Sequence, residues 1–436
     1  IGHVRFCEGL LRLEPLIAEK FEMKGSEKSR QSLLDGKMII RPKYLKTLLV
    51  YKDQPLVKLL AGIRRSGKST ILDMLRDELI KEGVREDHIL CYRYTSMDIP
   101  DGYTVQNMNQ DIHARMTDNG RYYLLLDEIQ EIDGWEKCVN SMLENDNTDI
   151  YVTGSNSRMM SSEISTYLTG RYVEIPVYTL SFAEYLDFKY ESGKTKKELL
   201  ADYIRYGGFP VVANGNFTER TAYQVVEGIY HSVVSHDITK RHRITNLELF
   251  ERVVKYIVEN VGKTFSANAI VKFLKNERRS LSVETIYNYL EWLEKAFVIY
   301  RCPRYDMQGK EVLKTQEKFY LADPSLKYCI LGYNPKSVAA MLENIVYFEL
   351  KRRGYDVYIG KNGTKEIDFV AIMRDEKVYV QVCREMPEES DREIQNLMEV
   401  SDHYPKYVVT LDEYAGGNVN GIRIIHMCDF LLQENF

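Results

Sequence analysis

From Val57 onward, short apolar runs alternate with longer stretches whose apolar positions recur every three or four residues. The short runs at 57–61, 88–94, 122–126, 149–153 and 172–176 read as strands, and their apolar character suits strands covered on both faces. Five such strands joined by crossover helices predict an α/β fold built on a parallel sheet. Between about Leu180 and Thr245 the strand signal stops, and amphipathic runs such as 221–234 predict a helical lid or linker. Three helical patterns follow at 247–261, 266–274 and 282–296, each with an Asn or Ser near its start, then β-type runs at 297–301 and 318–321. Three helices and a hairpin suggest a winged helix. The last stretch predicts a helix over 337–353, strands near 356–359, 366–372 and 378–383, a helix over 392–400 and a strand at 407–411. The order is αβββαβ.

A chain of 436 residues exceeds what one core normally serves, so several domains are expected. The divisions predicted are a leader at 1–37 outside the fold, with Met38 as the natural start, then 38–180, 181–245, 246–321 and 322–436. Net charge is −5, so contact with nucleic acid requires a local basic patch rather than a global field. One exists: residues 263–318 carry eleven Lys or Arg against seven acids. Lys272, Lys275, Arg278 and Arg279 follow or lie on the second helix, where they could meet phosphates, whereas Glu284, Glu291 and Glu294 on the third would repel them. Double-stranded DNA and a protein partner both stand as readings of this segment. The seven cysteines are scattered without metal spacing, which fits a reducing cytoplasm and predicts no structural metal. No apolar run approaches the ~20 residues of a membrane span, so no membrane contact is expected. His231, His236 and His242 beside Asp237 lack the spacing that puts two ligands on one helix face, and read as ordinary helix residues.

The sharpest local signal is Gly62-Ile63-Arg64-Arg65-Ser66-Gly67-Lys68-Ser69, followed by Thr70, between a predicted strand and a predicted helix. In a G-x-x-x-x-G-K-[ST] loop, backbone N–H groups curl round an anion at a helix N-terminus, the Lys reaches the β and γ phosphates, and the Ser can ligate Mg²⁺. ATP with Mg²⁺ is therefore the expected ligand. Arg64 and Arg65 either contact phosphate or pack outward. The strand at 122–126 runs into Asp127 and Glu128, where an open sheet places its ligand. Asp127 would hold Mg²⁺ and Glu128 would orient the attacking water.

A strand between the loop and these acids, with the added Glu, resembles AAA-type ATPases. That resemblance puts Ser155 or Asn156, in Thr153-Gly154-Ser155-Asn156, at a sensor position beside the γ phosphate, and Arg171 at the place of an arginine finger, which implies a homo-oligomer. Beyond Met38 the chain resembles a family of bacterial and archaeal AAA-type ATPases carrying a winged helix and a C-terminal nuclease-like domain of unknown function. The carriers are the loop at 63–68, Leu126-Asp127-Glu128-Ile129-Gln130, Tyr206-Gly207-Gly208-Phe209-Pro210, Leu342-Glu343-Asn344, Glu366-Ile367-Asp368-Phe369 and Gln381-Val382. The αβββαβ order with Glu343, Asp368 and Gln381 resembles a PD-(D/E)xK nuclease site. Cys383 stands where that motif has its Lys, which argues for a vestigial site unless Lys365 or Lys377 substitutes. The leading expectation is an ATP-hydrolysing enzyme whose cycle moves the lid and winged helix against the last domain. The alternatives are a nucleotide-switched binding protein with little turnover and an ATP-gated nuclease.

Overall fold

The structure, a computed structural model, describes residues 40–436 except 145–146, 161–166, 169, 243, 245, 387–391, 415 and 435. The expected leader at 1–37 lies outside the described residues. The first unit contains α1 (Pro42–Val50), β1 (Val57–Ala61), α2 (Lys68–Lys81), β2 (Ile89–Arg93), α3 (Val105–Arg115), β3 (Tyr122–Asp127), α4 (Trp135–Leu143), β4 (Thr148–Gly154) and β5 (Tyr172–Pro176). All four pairings are parallel and the strand order is β2-β3-β4-β1-β5. Alternate residues of each strand face opposite ways. Leu60, Leu125 and Tyr151 pack against Leu48 of α1 and Leu75 of α2. Leu59, Leu124 and Val152 belong to the core that holds Ile112 of α3 and Val139 of α4. Helices on both faces explain why these strands read as continuous apolar runs.

One charged pair interrupts that core. Lys58 on β1 and Asp149 on β4 are fully buried and form a direct ion pair. Lys58 Nζ also donates to Gln54 O (3.0 Å), while Asp149 Oδ2 accepts from the Tyr151 hydroxyl and the Asp53 amide, both at 2.9 Å.

Next come α5 (Phe182–Phe188), α6 (Lys196–Tyr206), α7 (Pro210–Asn214) and α8 (Glu219–Ser232), the last continuing into a π-helical turn, Val233–Thr239. Capping boxes at Ser181/Glu184 and Thr195/Glu198 fix the starts of α5 and α6. The expected helical segment is present. Helices α9 (Leu247–Glu259), α10 (Ala267–Asn276) and α11 (Val283–Lys295) lead into a hairpin of β6 (Ile299–Asp306) and β7 (Glu311–Leu321).

The hairpin does not end a separate unit. After α12 (Pro324–Leu331) and α13 (Val338–Arg352) come β8 (Asp356–Asn362), β9 (Lys365–Met373), β10 (Glu376–Cys383), α14 (Arg392–Met398), β11 (Lys406–Thr410), β12 (Gly417–Val419), β13 (Ile422–His426) and α15 (Met427–Leu432). Strand β6 pairs parallel with β8, giving one mixed eight-stranded sheet in the order β12-β13-β11-β10-β9-β8-β6-β7. The division expected at residue 321 thus falls inside a continuous sheet, and Asn344 of α13 clamps it there by bonding both the N–H (2.7 Å) and C=O (2.8 Å) of Leu321.

A buried carboxylate joins the halves. Asp323 caps α12 through Ser325 N (3.0 Å) and accepts from Gly208 N (2.8 Å). Gly207 sits at φ 73°, and a Cβ there would lie 1.7 Å from Asp323 Oδ1. Only glycine allows that approach, which gives the Gly207-Gly208 pair a mechanical reason.

Candidate functional site

The loop between β1 and α2 closes tightly on itself. A Cβ on Gly62 would stand 2.0 Å from Val177 O, so the chain passes where no side chain fits. Ser66 Oγ is buried and finds no hydrogen-bond partner among the described residues. Lys68 Nζ donates to the carbonyls of Gly62 (2.9 Å) and Ile63 (3.1 Å) and lies 3.7 Å from Glu128 Oε1. Burial lowers the Lys68 pKa against the pull of Glu128 and Asp127.

Opposite Lys68, β3 ends in the two acids. Asp127 Oδ1 accepts from Ser69 Oγ (3.0 Å) and Thr153 Oγ1 (2.6 Å). Burial pushes Asp127 above the usual carboxylate range, against these hydroxyls. Glu128 turns the chain with φ 53°, its N–H donating to Thr153 Oγ1 (2.9 Å). One threonine hydroxyl therefore fixes both acids. Glu128 Oε2 accepts from the Gln130 amide and from Ser155 Oγ (3.0 Å). Burial works to raise Glu128, but the Lys68 charge, the Gln130 amide and Arg64 outweigh it and hold it below its ordinary value. Asn156 is buried next in sequence to Ser155.

Arg64 makes a two-pronged ion pair with Asp237 of the π-helical turn, at 2.5 and 3.0 Å. Arg65 is exposed and, with Gly67, Ser69 and Thr70, lines an open cleft of about 860 Å³ that Phe188 and Phe217 bound from the helical segment. That is ample for a small-molecule ligand. Arg171 stands elsewhere. Its carbonyl accepts from Val57 N (3.0 Å) and its guanidinium donates to Asn140 Oδ1 (2.8 Å), which puts it at the N-terminal ends of β1 and β5, the opposite edge from the loop.

The residues fit a triphosphate with its divalent ion: an orphaned hydroxyl and a close-packed glycine in the loop, and hard oxygen donors from Ser69 and Asp127 side by side. Two contributors give no local sequence signal. Arg41, at the start of α1, donates to Ser66 O (2.9 Å) and Tyr178 O (3.1 Å) and forks onto Glu184 (2.8 and 2.9 Å), bracing the loop against α5. Asp237, passed over with the histidines around it, is the other. Of those histidines, His242 stacks on Trp292 at 4.6 Å and His231 faces Glu227 at 3.8 Å on the surface.

In the second sheet Asp368 and Gln381 meet, Gln381 Oε1 accepting from Asp368 N (3.2 Å) and Asp368 Oδ2 from Val382 N (2.8 Å). Glu343 of α13 faces them. Its carboxyl is pushed up to about 8 by burial and by the Asp368 charge. The cation at these acids is Lys318 of β7, 2.9 Å from Glu366 and 3.5 Å from Glu343, with the Tyr320 hydroxyl 3.3 Å from Glu343. The expected substitutes face away: Lys365 pairs with Glu399 (2.6 Å) at the surface and Lys377 lies over the Tyr404 ring. Among the described residues no group of three or more His, Cys, Asp or Glu is arranged to hold a metal ion. Because the raised value favours the protonated carboxyl in the fold, the contribution of Glu343 to stability is complete below its ordinary range and is lost as pH rises through about 8. Thermal midpoints of the wild type should therefore fall from about pH 5 to about pH 8, and Glu343→Gln should flatten that fall. Parallel slopes in the two proteins would contradict this.

The comparisons with known proteins agree with this geometry. Residues 54–186 match the family described as an AAA domain, and residues 197–337 match a domain of unknown function, DUF8612. An uncharacterized protein of Haemophilus influenzae is 39% identical over 399 residues, covering 91% of this chain and 99% of that protein. One from Methanocaldococcus jannaschii is 28% identical, covering 78% and 77%. A Walker-type ATPase of Pyrococcus abyssi superposes with a TM-score of 0.50 at 15% identity, over 68% of this chain and 96% of that one, a likeness of fold. With the uncharacterized relative from Haemophilus influenzae matched along nearly its whole length, the chain belongs to that protein's family, and the AAA domain spanning its own sheet and phosphate loop makes it an ATP-hydrolysing P-loop enzyme.

Proposed function

We propose that ATP binds with its phosphates on the loop at 62–69 and that Glu128 directs water at the γ phosphate. The observation that carries this is the shared network in which Thr153 ties Asp127 to Glu128 while Ser69 and Lys68 approach the same acids from the loop. Backbone N–H groups and Lys68 neutralise the phosphates, and Ser69 and Asp127 would hold Mg²⁺. Bound there, that ion neutralises charge on the phosphate oxygens. Ser155 or Asn156 stands at the sensor position beside the terminal phosphate. Arg171, distant from its own loop, acts only if it is presented to a neighbouring copy.

The cycle moves residues 181–245, which bound the cleft, and with them the three helices and hairpin at 246–321, read as a winged helix for double-stranded DNA or a protein. The C-terminal unit, read as nuclease-like, keeps its fold for contacts, since Lys318 already neutralises its acids. A slow nucleotide switch is the second reading, favoured by the tie of Arg64, which lines the cleft, to Asp237. ATPase rate with and without double-stranded DNA decides the partner. Stimulation of about tenfold or more, lost as salt rises, is expected for DNA. An unchanged rate across lengths and salt would turn the reading toward a protein.

A further inference from the structure

Asp237 is 1% exposed, and its carboxylate receives both prongs of Arg64 and, at 3.1 Å, the hydroxyl of Ser155. The same Ser155 hydroxyl lies 3.0 Å from Glu128 Oε2, and the Gln130 amide donates to Ser155 Oγ at 3.3 Å. A hydroxyl has one proton, so Ser155 can serve Glu128 or Asp237 but not both at once. The wider π-helical turn carries Asp237 to this point from the end of α8. Just beyond it, Lys240 and Arg241 reach Glu131, in the turn after Glu128, at 3.2 and 3.6 Å. The helical segment thus grips the phosphate loop, Ser155 and the turn after β3 through charged groups, beside the apolar packing of Val233, Val234 and Ile238.

We propose that Asp237 is a positioning residue, a latch that competes with the triphosphate for Arg64 and with Glu128 for the proton of Ser155. This rests on the reading of 62–69 as the triphosphate cradle. Phosphate matches the planar fork of an arginine as well as a carboxylate does, so nucleotide can take Arg64 over. Asp237 then keeps the Ser155 proton, and Glu128 Oε2, still held by Gln130, is freed toward water. The segment shifts about its remaining contact with Ser155 because its bidentate tie to Arg64 has been exchanged, and the position of the lid and nucleotide affinity depend on each other.

The test uses the full chain with Mg²⁺, titrated with a fluorescent ATP analogue and assayed for phosphate release. Asp237→Asn keeps the shape and releases Arg64. It should bind on the order of tenfold tighter while kcat falls, a split that loss of a merely structural ion pair does not give. Arg64→Ala should bind on the order of tenfold weaker, since Asp237 is left unpaired near the phosphates. Ser155→Ala takes away the proton in dispute and leaves the ion pair intact, so Asp237→Asn added to it should lower kcat no further. Folded Asp237→Asn with wild-type or weaker affinity, Arg64→Ala with wild-type affinity, or a further fall in kcat when Asp237→Asn is added to Ser155→Ala, would overturn the latch alone. A wild type that binds no nucleotide would overturn the cradle and the latch together.

Discussion

Glu128→Gln is expected to slow ATP hydrolysis by about 10² to 10⁴ while leaving the nucleotide bound, because a positioned acid–base group contributes about that much to proton transfer. The substitution keeps the side chain's size and its hydrogen bonds to Gln130 and Ser155 have counterparts in the amide. The backbone N–H on Thr153 is untouched, so Asp127 and the loop stay in place. What is lost is the carboxylate that Lys68 and its neighbours hold ionised by outweighing the cost of burial. Single-turnover hydrolysis and retention of labelled ATP measure the two halves of this expectation. Turnover at the wild-type rate would remove Glu128 from the chemistry.

The largest stability effect is expected at Asp149. Asp149→Ala leaves Lys58 without its counter-ion among buried strands, and removes the acceptor of the Tyr151 hydroxyl and the Asp53 amide. Breaking a buried pair in this way costs about 3–5 kcal/mol. By contrast, the exposed pair Lys194 and Asp202 lies where such contacts contribute about 0–1 kcal/mol. Urea unfolding of Asp149→Ala and Asp202→Ala separates the two. Replacing both Lys58 and Asp149 by apolar residues of similar volume should recover most of the loss, because the cost lies in the stranded charge.

Much of the first unit is legible in sequence because its determinants are local. Strands β1 and β5 begin and end where the apolar runs do, and the loop from Gly62 to Ser69 is set by residue types at fixed spacing. Helix α12 escapes notice because Pro324 to Tyr328 are all buried, Lys327 included, so no amphipathic period marks it. The strand character of β6 and β7 is visible, but the pairing of β6 with β8 depends on a partner some fifty residues on. The motif points to position 383, Lys365 or Lys377 for the cation at the C-terminal acids, whereas Lys318 comes from the hairpin that this pairing brings alongside. Arg41 and Asp237 lie further still from their partners: 143 residues separate Arg41 from Glu184 and 173 separate Arg64 from Asp237. Neither residue type nor neighbours distinguish them from surface charges, so their roles exist only once the chain has folded.

Phosphate release from ATP and Mg²⁺ by the full chain, measured beside Lys68→Ala, is the most direct test that this loop and its facing acids form a hydrolytic site. Steady turnover by the wild type, falling by about a hundredfold or more in the variant, is the expected result, since losing one charge-stabilising group at a reacting centre costs about that much. Equal release by the two proteins would contradict it.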